Sequence, residues 1–273
     1  MWFDTVLSVL YGSVMEYRDH PGINHSTLKA FAKGAGYVKH LIDSGSKETE
    51  AMRLGTLTHL MVLEPHLMAE GVAIAPEINR RTKAGKEKGV KFQEDSAGKL
   101  VVTKEQALLA EAMADAVKAH PAASGLLNEF EFEAERECFW VDEFYGMQCK
   151  AKLDGVRPDG LILDLKTTMD ASVAGFNRAI FNHYYFTQAA WYMQGLARSG
   201  GPEPTGFVFI AVQNQAPHEV CVVRMTPEAI TIGARTVMDW LFEYRQRTKT
   251  NDWTSNPDVV DVTVPGWVDR KEG

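Results

Sequence analysis

Apolar positions along this chain change period near residue 130. Leu28, Phe31, Ala32 and Tyr37, then Met52 to Leu63, then Leu108, Leu109, Met113 and Val117 recur at helical spacing. Between Glu131 and Gln213 the apolar residues instead fall in short β-prone runs bounded by turn residues. The first half therefore predicts helices. Asn24 to Ser26 caps one that runs towards Ile42, and Asp43 to Lys47 is a loop. The next ends before Pro65 and is apolar nearly all round from Leu57 to Leu63, which predicts burial of its His59, with Glu64 at its end. Thr103 and Gln106 have capping-box spacing, and the helix behind them stops at His120-Pro121, with one short turn over Ala122 to Leu127.

The second half predicts a strand meander. Glu131 to Val141 leads through a turn at Asp142 to Gly146 into the hairpin Lys150 to Thr168. A helix opens at Asp170-Ala171-Ser172, and Phe186 to Leu196 is another, carrying Gln188 and Tyr192. Phe207 to Gln213 and Val220 to Met225 are strands, and Thr226-Pro227-Glu228 opens the last long helix. This order is α+β (α/β), one central mixed sheet covered by helices. A single domain over 1–273 is expected: a helical part (1–128), a sheet-bearing core (129–250) and a tail (251–273).

The hairpin concentrates the chemistry. Arg157-Pro158-Asp159-Gly160 suits a three-residue loop, with Gly160 as its left-handed residue. If Arg157 pairs with Leu161, counting outward sets Asp154 opposite Asp164 and Lys152 opposite Lys166, all on one face. Two carboxylates so placed can hold a divalent metal, with Lys166 in reach of a scissile phosphate. An Asp–Lys pair across a hairpin is also an ordinary surface ion pair. Against that stands LILDLKTT, apolar on both sides of Asp164: a buried carboxylate needs a partner.

Composition narrows the partners. The formal net charge of −7 argues against non-specific coating of nucleic acid but permits a local basic groove. From Pro76 to Lys99, Arg80, Arg81, Lys83, Lys86, Lys88 and Lys91 cluster with little hydrophobic periodicity, which reads as a mobile basic loop with a short helical piece. One sign of charge inside an acidic chain favours contact with a polyanion. The cysteines, Cys138, Cys149 and Cys221, offer neither a disulfide framework nor a CxxC site, so a reducing cytoplasm is expected. The apolar run Val6 to Met15 has Asp4 where a signal peptide carries a cation, and no stretch reaches the roughly 20 apolar residues of a membrane span.

These residues resemble the RecE-type exonuclease (exonuclease VIII) branch of the PD-(D/E)XK nuclease superfamily, often carried by phages and prophages. The spacing D(154)-x9-D(164)-x-K(166), followed by Gln188 and Tyr192 as Q-x3-Y, carries the likeness. So do EYRDHPGINHSTLKAF (16–31), GTLTHLMVLEP (55–65), NRRTKAGK (79–86), ECFWVDEFYGMQCKAKLDG (137–155), DLKTTMDAS (164–172) and VPGW (264–267). The resemblance implies Mg²⁺, with Mn²⁺ as substitute, held by His59, Asp154, Asp164 and the Leu165 carbonyl. Lys166 is then the catalytic lysine, and Gln188 and Tyr192 shape the site. Glu64 and Glu135 are candidate additional acids. Lys152 stands where similar sequences often have Arg, and the motif acid is Asp164 rather than Glu.

The resemblance further implies resection of one strand of linear duplex DNA from its 5′ end, exposing 3′ single strand for recombination by annealing. Partners would be duplex ends, a single-strand annealing protein and further copies of the chain in a ring. Arg80, Arg81, Lys83 and Lys86 are expected to track the phosphate backbone, and Ser26 at a helix start with Lys29 to receive the 5′ phosphate. Lys152 is a further expected DNA contact. An iron–sulfur nuclease is excluded because four cysteine ligands are needed. A silent DNA-binding or assembly module that kept the fold, and a structure-specific endonuclease, remain alternatives.

Overall fold

The computed structural model describes residues 17, 19–79, 81–127, 132–255, 259, 261, 263 and 264. The run Val6 to Met15, Arg80 and Pro265 to Trp267 lie outside the described residues. Helix α1 (His25–Lys29) is capped by Asn24, whose side chain accepts from the Thr27 N–H. It passes into a 3₁₀ turn, Ala30–Lys33, and stops at Gly34, whose φ of 102° suits a residue without Cβ. Helix α2 (Ala35–Ser44) is separate, so the single helix expected from Asn24 to Ile42 is two. Helix α3 (Glu50–Leu63), capped by Thr49, carries His59.

A one-turn helix α4 (Met68–Gly71) leads to strand β1 (Val72–Ile74). The expected basic loop is largely helix α5 (Lys83–Asp95), with the Thr82 hydroxyl accepting from the Gly85 N–H. Strand β2 (Leu100–Val102) then pairs in parallel with β1, a second small sheet that the periodicity did not announce. Helix α6 (Lys104–Ala119) begins with the capping box at Thr103 and Gln106, both bonds present. Its successor α7 (Pro121–Leu126) is capped by the His120 ring.

The main sheet comprises β3 (Glu133–Val141), β4 (Gln148–Val156), β5 (Leu161–Thr168), β6 (Gly206–Gln213) and β7 (Val220–Arg224), in that spatial order. Only β5 and β6 are parallel, so they need a long crossover. Helices α8 (Val173–Asn182) and α9 (Tyr185–Arg198) supply it. Helix α10 (Pro227–Thr250), capped by Thr226, closes that face. Beneath α8, α9 and α10 lies the main core, with Trp191, Phe176, Phe207 and Phe209 buried. On the other face Leu165, Ile210 and Val212 meet Val62 and Leu63 of α3 and Met113 and Val117 of α6. Burying each such side chain contributes roughly 1.5–3 kcal/mol.

Candidate active site

The hairpin forms in the expected register at its tip. The Arg157 N–H donates to the Leu161 carbonyl at 2.9 Å, and Gly155 and Val156 face Leu163 and Ile162. Gly160 takes φ 81° and closes the loop, its own N–H donating to the Arg157 carbonyl. Beyond these pairs the ladder ends. Lys152 does not pair with Lys166; two ammonium groups side by side would repel. Instead the Asp154 carboxylate reaches between the strands and accepts the Leu165 N–H at 2.9 Å.

Strand alternation slips at the same point. Leu153 and Val156, three residues apart, both join the core under α8–α10, whereas unbroken alternation puts them on opposite faces. On β3, Glu135 sits opposite Asp154 by register but makes no ladder pair, and its φ is 53°. A left-handed glutamate costs of order 1 kcal/mol and persists because its surroundings hold it there. The sheet is thus opened between β4 and β5, and groups from both of its faces meet in the gap.

From the α3 side comes His59. Its Nε2 lies 2.7 Å from the Leu165 carbonyl. A carbonyl only accepts, so Nε2 carries the proton and Nδ1 presents a lone pair, 3.5 Å from Asp154 Oδ2. A ring nitrogen of His59 and oxygens of Glu135 and Asp154 lie within 4.8 Å of one another, a donor set suited to a metal ion. Glu64, at the end of α3, adds a carboxylate near Glu135, with Oε2 buried and without a hydrogen-bond partner among the described residues.

From the α9 side come Asp164, Lys166, Gln188 and Tyr192. Asp164 is completely buried. One oxygen contacts Lys166 Nζ, and the other accepts from Gln188 Nε2 at 2.8 Å. The Lys166 ammonium also stands over the rings of Tyr185 and Phe209, 5.2 and 5.7 Å from their centroids. The Q-x3-Y spacing works as one helical turn: Gln188 bonds Asp164, and the Tyr192 phenol lies near enough to Gln188 to feel it.

Protonation follows from this crowding. Burial pushes the Asp164 carboxyl up, Lys166 opposes, and Asp154 adds to the rise. Burial also pushes Glu135 up, opposed by Lys152 and reinforced by Asp154 and Glu64. Burial pulls Lys166 down, but Asp164 and Asp154 outweigh it and the ammonium ends above its usual range. Lys166 is therefore held as an ammonium by its carboxylate neighbours. Four carboxylates (Glu64, Glu135, Asp154, Asp164) face two ammonium groups (Lys152, Lys166) in this electrostatic network. A divalent cation beside these raised carboxyls would favour their ionised forms, and the oxygen-rich donor set fits Mg²⁺ or Mn²⁺.

Several expected positions differ. Asp164 is not among the three clustered donors; its oxygens meet Lys166 and Gln188. Lys152 is 16% exposed with Nζ 3.1 Å from Glu135, so it points into the site and not onto a backbone-tracking surface. Arg81, Lys83 and Lys86 are exposed, around the start of α5. Ser26 and Lys29 line a cavity of about 460 Å³ with Lys33, His183 and Tyr184. Helix α1 has only five residues, so the expected anion site at its N-terminus is not available from a helix dipole. What the cavity offers is lysine charge: burial lowers Lys29, and Lys166 and Lys33 lower it further.

Glu135 is the residue whose weight rises most. Counting back through the Asp142–Gly146 turn already sets it opposite Asp154, since Val141 pairs with Gln148. His25 had no such signal. It is buried beneath α9, and its Nε2 donates to Thr187 Oγ1 at 2.8 Å, which donates to the Tyr184 carbonyl.

With this geometry in view, likeness to known proteins is informative. The model of the family DUF3799, "PDDEXK-like domain of unknown function", matches residues 24–262. Among solved structures, a protein named "Putative exonuclease" from Eubacterium rectale superposes with a TM-score of 0.60 at 14% identity, covering 92% of this chain and 93% of that one. Another, SSO0001, covers 81% of this chain and 92% of its own at 14% identity, but its TM-score of 0.29 carries no weight. No curated protein matches.

Proposed function

The chain belongs to this PDDEXK-like family, and from that premise we propose that it is a divalent-metal-dependent nuclease acting on DNA. The observation that carries the reading is the donor set in the gap: His59, Glu135 and Asp154 are clustered as metal donors, with the carboxyls of Glu64 and Asp164 beside them. His59, Glu135 and Asp154 would hold Mg²⁺ or Mn²⁺, with Asp164 and the Leu165 carbonyl added on the strength of the RecE-type resemblance. When bound, the ion would polarise the scissile phosphate and acidify a water at neutral pH.

The chain's own groups do the rest. Lys166, kept cationic by Asp164, donates to the phosphate oxygens and stabilises charge that grows during attack. Gln188, with Tyr192 behind it, holds Asp164 and so the direction of Lys166. Lys152 holds Glu135 in place. The name of the Eubacterium rectale neighbour and the resemblance together favour exonuclease action. Degradation from the 5′ end is the finer part of the reading. It is supported by the lysine-lined cavity beside the site, where a 5′ phosphate would meet Lys29 and Lys33. A ring of copies enclosing DNA and cooperation with an annealing protein belong to the same reading.

Digestion of linear duplexes labelled at the 5′ or the 3′ end, next to closed circular DNA, tests it. Release of 5′ label with Mg²⁺, intact circles and arrest by chelator are expected. Nicked circles would make it an endonuclease, and no cleavage of any substrate would leave a silent binding module.

A further inference from the structure

Outside the gap, α5 roofs a cavity of about 510 Å³, within the roughly 300–1,000 Å³ of small-ligand sites. Its walls are Pro76 and Ile78 after β1, Val101 of β2, Gly89 and Phe92 of α5, and Arg53 of α3. Pro76, Ile78, Phe92 and Val101 present apolar surface, and Gln93 and Ser96 add polar groups to the lining. The Arg53 Nε donates to Glu48 at 2.8 Å, which fixes the plane of the guanidinium. No catalytic group lies here, and the nuclease reading does not use it.

The surroundings decide what the cavity would take. Gly85, Gly89 and Phe92 share the inner stripe of α5, at helical spacing. Lys86 and Lys88 flank that stripe, one on each side, and both are exposed. An apolar slot edged by cations and floored by a fixed arginine suits an aromatic ring on a phosphate backbone. We propose that this cavity binds an unstacked nucleotide of single-stranded DNA, its base against Phe92 and Ile78 and its phosphates on Arg53, Lys86 and Lys88. Arg53 and His59 are both on α3, six residues or about 9 Å of axial rise apart. A strand leaving the nuclease gap is within reach of the slot, which would grip the single strand that the reaction exposes. The inference rests on the nuclease reading for the identity of its ligand.

Gly89 provides the test, because a Cβ built there meets nothing within 4 Å and leucine is the better helix former. Gly89→Leu should fill the slot without unfolding α5, and Phe92→Ala should remove its ring. Binding is read by anisotropy in chelator with a labelled oligothymidylate and with an abasic strand of equal length and charge. Wild type should prefer the thymidylate strand about tenfold, the effect of stacking one base, and both variants should lose that preference while still binding the abasic strand. Equal binding of the two strands by wild type, or a preference that survives Gly89→Leu, overturns the proposal. Cleavage of duplex by wild type is measured beside it. Its absence would count against the nuclease reading, whereas equal binding of the two strands by a wild type that still cleaves counts against the slot alone.

Discussion

Two charged regions of this molecule are built in opposite ways. In the gap between β4 and β5 the charges are buried or half-buried and most are tied to a named partner: Asp164 to Lys166 and Gln188, Glu135 to Lys152, Asp154 to Leu165. Around α5 the cations Arg81, Lys83, Lys86, Lys88 and Lys91 are exposed, on the helix or in the turn before it, in the neighbourhood of a two-stranded sheet. Buried charge is costly unless compensated, so the gap must be fixed by contacts from both faces of the sheet. Exposed charge is nearly free, and its placement only has to follow an external ligand. On the proposed reading, bond-breaking chemistry would belong to the first region and sequence-independent grip to the second.

The largest expected break is at Lys166. Lys166→Ala should lower the cleavage rate by roughly 10²–10³-fold, the usual cost of losing one charge-stabilising donor. Binding of duplex in chelator should change little. If cleavage survives, the cation in the gap has no catalytic role.

His25 sharpens the contrast through pH. Burial, with Lys29 and Lys166 nearby, lowers its imidazole from 6.5 to about 3. The unfolded ring takes up a proton below about 6.5 and the folded one does not, so the unfolded chain binds more protons between these values. Stability therefore falls as pH falls through that window, by about 2 kcal/mol at pH 5 from this residue. Denaturant melts at pH 7.5 and pH 5 should show the loss in wild type, and His25→Gln should reduce it. Equal pH slopes in both proteins would contradict the buried neutral ring.

The smallest structural effect is expected on the outside. Lys83 and Lys86 sit in and just after the first turn of α5, where the helix dipole disfavours cations. Changing Arg81, Lys83 and Lys86 together to Glu should move stability by no more than about 0.5 kcal/mol in either direction. The same change should weaken duplex binding and flatten its salt dependence by roughly 0.9 in log–log slope for each phosphate that the chain no longer neutralises. An unchanged slope would remove α5 from the DNA path.

Much of this division was legible in the residues, and for local reasons. The capping box at Thr103 and Gln106, the Arg157–Leu161 register and the buried strand around Asp164 are set by neighbours in sequence. What stayed hidden depends on contacts between distant segments. The strands β1 and β2 have three residues each, too few to show alternation. Helix α5 is masked because Gly85 and Gly89 occupy its inward stripe where apolar side chains would normally announce a helix; a Cβ on Gly85 would lie 2.0 Å from the Asn79 carbonyl oxygen. The site residues were nearly all visible as types, but their arrangement was not. The slip between Leu153 and Val156, which opens the gap, and the left-handed Glu135 opposite Asp154 arise only when β3, β4 and α3 converge.

The central claim is that the gap is a divalent-metal site completed by groups from both faces of the sheet. Calorimetric titration of Mn²⁺ into metal-free wild type and into Asp154→Ala tests it most directly. Saturable binding by wild type, abolished or weakened at least tenfold in Asp154→Ala, is the predicted result. Absence of binding by wild type, or equal binding by the two proteins, would contradict it.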